Sequence, residues 1–197
     1  MFEVKMKRWI CLVALLIPFI TNAEYQEVID SRVTVPGGKE VYFVAVPSHF
    51  KDSENDSVIY HSVIYHEDLS SFTKSILLNP KVDPDPKKTL VGFSSLKLSP
   101  DAKTLYFESA AWATSSAIHA MNLKNKEIKY ITDGSLTCVV GAGEYQGHLI
   151  VSRHQYFVQG GSYDDYWLYS PSGKKIGRVA SENATKVDLL KLCTSLS

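Results

Sequence analysis

Charge of one sign is what this sequence most lacks. It carries 21 basic and 21 acidic residues among 197, a formal net charge of zero. A chain so balanced has no electrostatic footprint for nucleic acid, whose binding rests on neutralised phosphates. Nor does it have a polybasic face for anionic lipid. Cysteine is scarce, with three residues, and no Cys-x-x-Cys or zinc-type Cys/His spacing occurs, so no metal site is read. There is no Gly-x-Ser-x-Gly elbow, no His-Glu-x-x-His, no phosphate loop and no dinucleotide fingerprint. Gly141-Ala142-Gly143 is too short to count as one. No cofactor is implied, and no catalytic residue is assigned.

Long apolar runs are also missing, except at the start. Trp9 to Ile20 is apolar, broken by Pro18; Lys5, Lys7 and Arg8 precede it, and Thr21-Asn22-Ala23 follows as a small-residue cleavage site. Residues 1–23 therefore read as a secretory signal peptide. The run is short for a membrane span, so none is expected after cleavage. Residues 24–197 suit a single domain with a sizeable core. Cys11 leaves with the signal, and Cys138 and Cys193 remain. An even pair in an exported, oxidising setting predicts a disulfide tying the start of the last repeat to the C-terminal tail.

What remains is rich in β-formers and turn signals. Strands are expected within Glu24–Val35, Val41–Val46, Ser71–Leu78 and Leu90–Leu98, then Lys103–Glu108, Ala117–Leu123 and Glu127–Thr132. Leu136–Val140, Leu149–Val158 and Tyr166–Tyr169 continue the pattern. Pro36-Gly37-Gly38, Ser99-Pro100-Asp101, Lys124-Asn125-Lys126 and Ser172-Gly173 mark turns between them. Ser48–Asp56 is polar and reads as a loop. The tandem pentapeptide Ser57–His61 and Ser62–His66 reads as one long strand or two short ones. Three prolines between Asn79 and Lys88 forbid a regular element there. Ala184–Leu192 fits a short helix or a strand equally well.

The stretch Leu98–Gly134 repeats itself. Shifted by 64 residues, Pro36–Phe43 lies under Pro100–Phe107; a shift of 44 puts Gly147–Ser152 under Lys103–Glu108, and a shift of 48 puts Tyr166–Ile176 under Ile118–Ile128. Such spacings belong to repeat architectures. Ser99, Pro100, Asp101, Lys103, Thr132, Asp133 and Gly134 resemble the β-propeller repeat of the TolB and WD40-like PD40 kind, with Ala102 where that family usually has glycine. The resemblance implies an all-β fold: a small stack of antiparallel sheets of about four blades, closed, open or irregular. In it Glu24–Val35 and Val187–Cys193 would pair to complete a composite blade. At about 45 residues per blade, residues 24–197 hold no more than four.

Candidate site residues sit near turns. Arg153, His154 and Tyr156 line a binding face, or else form an edge strand with its polar residues outward. Asp164 and Asp165 form an acid/base pair, a cation-binding loop or a solvated turn. Tyr163, Trp167 and Trp112 are of the type that anchors protein interfaces, although Trp112 also suits a blade core. His61 and His66, five apart, face opposite ways on one continuous strand and read as surface histidines. Asn55-Asp56-Ser57 and Asn183-Ala184-Thr185 are glycosylation sequons if the source is eukaryotic. The expected function is an exported binding protein acting on another protein. The TolB-type resemblance places it in the bacterial periplasm, and its narrower form is an inhibitor or immunity protein against a toxin or cell-wall enzyme. The alternative is a hydrolase or lyase using Arg153, His154, Asp164 and Asp165, which requires those four side chains to converge in one pocket.

Overall fold

The computed structural model describes residues 26–47, 61–181 and 185–196, without the side chains of residues 26–30, 186 and 187. The signal segment, the 48–56 loop, residues 57–60 of the tandem pentapeptide and both sequon asparagines lie outside the described residues.

Strands β1 (Gln26–Thr34), β2 (Glu40–Val46), β3 (Val63–Asp68) and β4 (Thr73–Leu78) form an antiparallel sheet in chain order. A seven-stranded sheet follows, also in chain order. It comprises β5 (Ser94–Leu98), β6 (Thr104–Trp112), β7 (Ser115–Asn122), β8 (Ile128–Val139), β9 (Leu149–Tyr156), β10 (Ser162–Tyr169) and β11 (Lys175–Ala180). Helix α1 (Lys186–Thr194) closes the described chain. The fold is all-β apart from that helix, built of antiparallel sheets in an open propeller-like arrangement.

The seven strands are two units sharing β8. Its first half pairs with β7 as far as Gly134, and its second half pairs with β9 from Ser135. Asp133-Gly134, which ends the repeat-like stretch in the sequence, thus lies inside one strand rather than at its end. Gly134 has φ +129°, and a Cβ there would lie 2.5 Å from Val151 Cγ1 and 2.7 Å from the Ser152 carbonyl oxygen. Only glycine lets the strand pass so close to β9. The buried Glu108 carboxylate accepts a 2.5 Å hydrogen bond from the Leu136 N–H just beyond Gly134.

The described chain therefore contains three four-stranded units. No composite fourth unit forms from the termini, because the tail is helical. Thr185 accepts from the Asp188 N–H while Asp188 reaches back to the Thr185 N–H, a reciprocal capping box. Leu189, Leu192, Cys193 and Leu196 then recur at helical spacing.

Alternation along each strand gives every unit two apolar faces. Tyr42, Val44 and Ile64 of the first unit pack on Phe93, Leu96, Leu105 and Phe107 of the second. Tyr106, Ile118 and Ile131 of the second pack on Leu149, Val151 and Tyr169 of the third. Val41, Phe43, Ala45, Val63 and Tyr65 form a separate buried cluster on the other face of the first unit. On the far face of the third, Val140, Ile150 and Leu168 are covered by Leu192, Cys193 and Leu196 of the tail.

Local chemistry sets the turns. Ser99 Oγ donates to Asp101 at 2.7 Å and accepts from the Thr104 N–H, while Asp101 accepts from the Lys103 N–H. These bonds, the Ser99 hydroxyl first, hold the Asp101 carboxyl below its ordinary range. Ala102 occupies the left-handed region at φ +54°, the conformation that makes glycine the usual residue there. The turn still closes, with Ala102 N–H donating to Ser99 O at 2.8 Å. The proline-rich connection of residues 79–88 carries no regular element beyond a single bridge between Lys81 and Leu90.

Cys138 and Cys193 are joined, with Cα atoms 5.9 Å apart and a sequence separation of 55. The bridge fastens α1 to the last unit. Replacing both cysteines by serine is expected to lower unfolding stability by up to about 4 kcal/mol. The denaturant midpoint reads this directly, and a loss below about 1 kcal/mol would contradict it.

His119 of β7 is buried, stacked on Phe107 at 5.3 Å and bonded to Ser109 Oγ at 3.0 Å. Burial pushes its pKa down from 6.5 to about 4. Above pH 6.5 the ring is neutral in both folded and unfolded chains and adds no pH dependence. As pH falls from 6.5 towards 4 the unfolded chain takes a proton that the folded one refuses, so stability drops. The loss amounts to about 3 kcal/mol at about 1.4 kcal/mol per unit. His119→Gln should remove that slope from the difference between variant and wild-type stability measured across this window.

Candidate functional site

β6 and β9 start at one end of the structure and finish at the other. Their starts flank a pocket shared by Ser99, Thr104, Gln146 and Gly147. Towards their finishes, Thr114, Ser115, Ser152, His154 and Asp164 line a cavity of about 380 Å³. The β6–β7 turn and the β9–β10 hairpin thus project at a common end, and most of the candidate residues sit there.

His154 and Asp164 face each other across β9 and β10, with Nδ1 and Oδ1 3.0 Å apart. Tyr156 meets the His154 ring edge-to-face at 5.0 Å and is 65% exposed. Tyr163 packs on Phe157 at 4.6 Å. Trp112 ends β6, 39% exposed, and borders a second pocket with Val82 and Ala113. Val158 is fully exposed at the hairpin tip. Strand ends carry these side chains because hairpin turns leave the last residues without a covering sheet.

The other three candidates turn inward. Arg153 pairs with the Asp133 carboxylate and donates to the Tyr169 hydroxyl at 3.3 Å. Burial opposes its charge, but the Tyr169 and Asp133 contacts outweigh burial and raise its pKa. Asp165 is buried and accepts from Arg178 at 3.3 Å. Trp167 carries the Lys175 ammonium 3.2 Å above its ring. Successive strand residues point to opposite faces, so Arg153 and Asp165 lie on one face of the unit and His154 and Asp164 on the other. The four groups of the hydrolase or lyase reading do not converge in one pocket.

Sequence reasoning missed Phe157 and Val158. Their signal was present: two large apolar residues next to Gln159-Gly160-Gly161, where a hairpin tip cannot bury them. Among the described residues no group of three or more His, Cys, Asp or Glu side chains is placed to hold a metal ion. His66 is instead bonded to Glu40 at 3.2 Å and stacked on Tyr42 at 5.1 Å. No helix among the described residues is long and apolar enough to cross a membrane.

No protein-family model matches the chain, and no curated protein matches it in sequence. Solved structures do match. Over 84% of its length the chain superposes on 44% of an oligogalacturonate lyase in complex with manganese, with TM-score 0.57 and 10% identity. Over 81% it superposes on 44% of the β-propeller domain of the Trilobed protease from Pyrococcus furiosus, which has an open velcro topology, with TM-score 0.51 and 18% identity. A TolB protein of Agrobacterium tumefaciens is matched over 47% of its chain and 75% of this one, with TM-score 0.48 and 14% identity. The chain thus spans less than half the length of each. At these identities the likeness shows the fold alone: the β-propeller architecture that the Ser-Pro-Asp-x-Lys repeat implied.

The two environments predict different mutational costs. Arg153→Ala leaves the half-buried Asp133 carboxylate unpaired and should cost about 1–3 kcal/mol. His154→Ala, at an exposed pair, should stay within about 0.5 kcal/mol. Equal midpoints for the two variants in denaturant titration would contradict this placement.

Proposed function

We propose that this chain is an exported binding module that acts through contact with another protein. Residues 1–23 direct it out of the cytoplasm, and residues 24–197 work as a single domain in the periplasm or outside the cell. The observation that carries the reading is the exposed aromatic and apolar end formed by Trp112, Tyr156, Phe157 and Val158 beside the His154–Asp164 pair. Large amphipathic side chains at such a surface supply interface area at low entropic cost, and the flanking polar pair supplies orientation. Asp165, Arg153 and Trp167 support that surface from within the unit. The narrower form of the proposal is an inhibitor or immunity protein that blocks a toxin or cell-wall enzyme in the same compartment. Compact size, export, one disulfide and aromatic loops support it.

The immobilised mature chain should retain a stable partner from periplasmic extract at micromolar concentration. The double variant Trp112→Ala, Tyr156→Ala should weaken that capture at least about tenfold. Lys103→Ala, at the opposite end of β6, should leave it unchanged. Absence of a partner, or equal capture by the double variant, would count against the reading.

A further inference from the structure

A larger cavity, about 620 Å³, opens at the end remote from Trp112. It lies where the first strand of each unit finishes: Val33 of β1, Leu98 of β5 and Val139 of β8 form its walls. Leu189 and Leu190 of α1 and the Cys138–Cys193 bridge complete the enclosure. The helix that covers the last unit's far face therefore also borders this space. Its size is in the range of small-molecule sites, which are mostly apolar with a few polar groups.

The polar groups are specific. Among the described residues of the lining Lys97 is the one that is charged, and none of them is a carboxylate. Thr34 and Thr137 bring hydroxyls to the same space. A lysine and two threonines on one lining, with no acidic residue among the described ones, suit one anionic oxygen pair. A lone cation is a weak match for a dianionic phosphate, which usually gathers several donors. An extended peptide would bury backbone N–H and C=O groups against walls that offer them few partners.

We propose that this cavity binds a medium-chain aliphatic carboxylate, its alkyl chain between α1 and the three strand ends and its carboxylate at Lys97. The site is separate from the aromatic end and does not depend on the protein-binding reading. Each further buried methylene should tighten binding about fourfold. Decanoate should therefore bind more tightly than octanoate.

The test is calorimetric titration of the oxidised full-length mature chain with decanoate, octanoate, 1-decanol and decyltrimethylammonium. The expected result is saturable one-to-one binding of decanoate, about fivefold to tenfold tighter than the neutral alcohol. The cationic amphiphile should bind more weakly than either. Lys97→Met should abolish the preference for carboxylate over alcohol while alcohol binding persists. Leu190 is 57% exposed at the mouth, so Leu190→Glu should leave the fold intact and weaken decanoate relative to decyltrimethylammonium. That second variant decides the matter if Lys97→Met fails to fold, as judged by circular dichroism. No saturable binding up to about 1 mM decanoate would overturn the proposal. Equal affinity for acid and alcohol would also overturn it, as would an unchanged preference in the variants.

Discussion

A β-sheet with two apolar faces must be covered on both. The strands of this chain read Val41-Tyr42-Phe43-Val44-Ala45-Val46 and Leu149-Ile150-Val151, apolar at consecutive positions, which is the pattern of strands buried on each side. Stacking satisfies the inner faces, since the second unit covers one face of the first and one face of the third. Closed propellers remove the remaining outer faces by forming a ring of at least about four blades. The three units of the described residues form no such ring, and the third unit's outer face is instead met by the tail. The capping helix and the disulfide are thus consequences of the same requirement. Terminal elements of repeat arrays commonly differ from the repeat for this reason.

Buried and half-buried polar bonds help to decide how the units sit together. Glu108 of the second unit binds the Leu136 N–H at the start of the third, Arg153 of the third reaches back to Asp133, and Phe93 N–H donates to Ser62 Oγ across the first junction. Each is a directional contact among non-directional apolar ones. Removing one partner strands a buried group, so these bonds specify the mutual orientation of sheets that apolar packing alone would leave free to slide.

Turn chemistry was legible because it is local. Ser99-Pro100-Asp101 and Lys124-Asn125-Lys126 carry their own hydrogen-bonding partners, and both form the expected turns. The tail was ambiguous because Val187, Leu189 and Leu190 fit either period. Thr185 and Asp188 settle it by capping each other, a signal three residues apart that stands outside the hydrophobic pattern. The continuation of β8 through Gly134 was illegible, because Asp-Gly usually reads as a turn and only the approach of Val151 shows why glycine is there. At the aromatic end, alternation separated Arg153 from His154 but could not say which face was covered. Neighbouring sheets, distant in sequence, decide that.

The shared strand makes the junctions unequal. The second and third units share one strand, Ile128–Val139, which passes from pairing with β7 to pairing with β9 at Gly134. The first and second are joined through residues 79–93, a stretch with three prolines and a single bridge. Load on the chain would therefore cross the later junction along one strand, and the earlier one through a longer connection and the packed faces of the two units. The described units are in this sense a pair spliced by one strand, with a third held to them by side-chain packing and the Phe93–Ser62 bond.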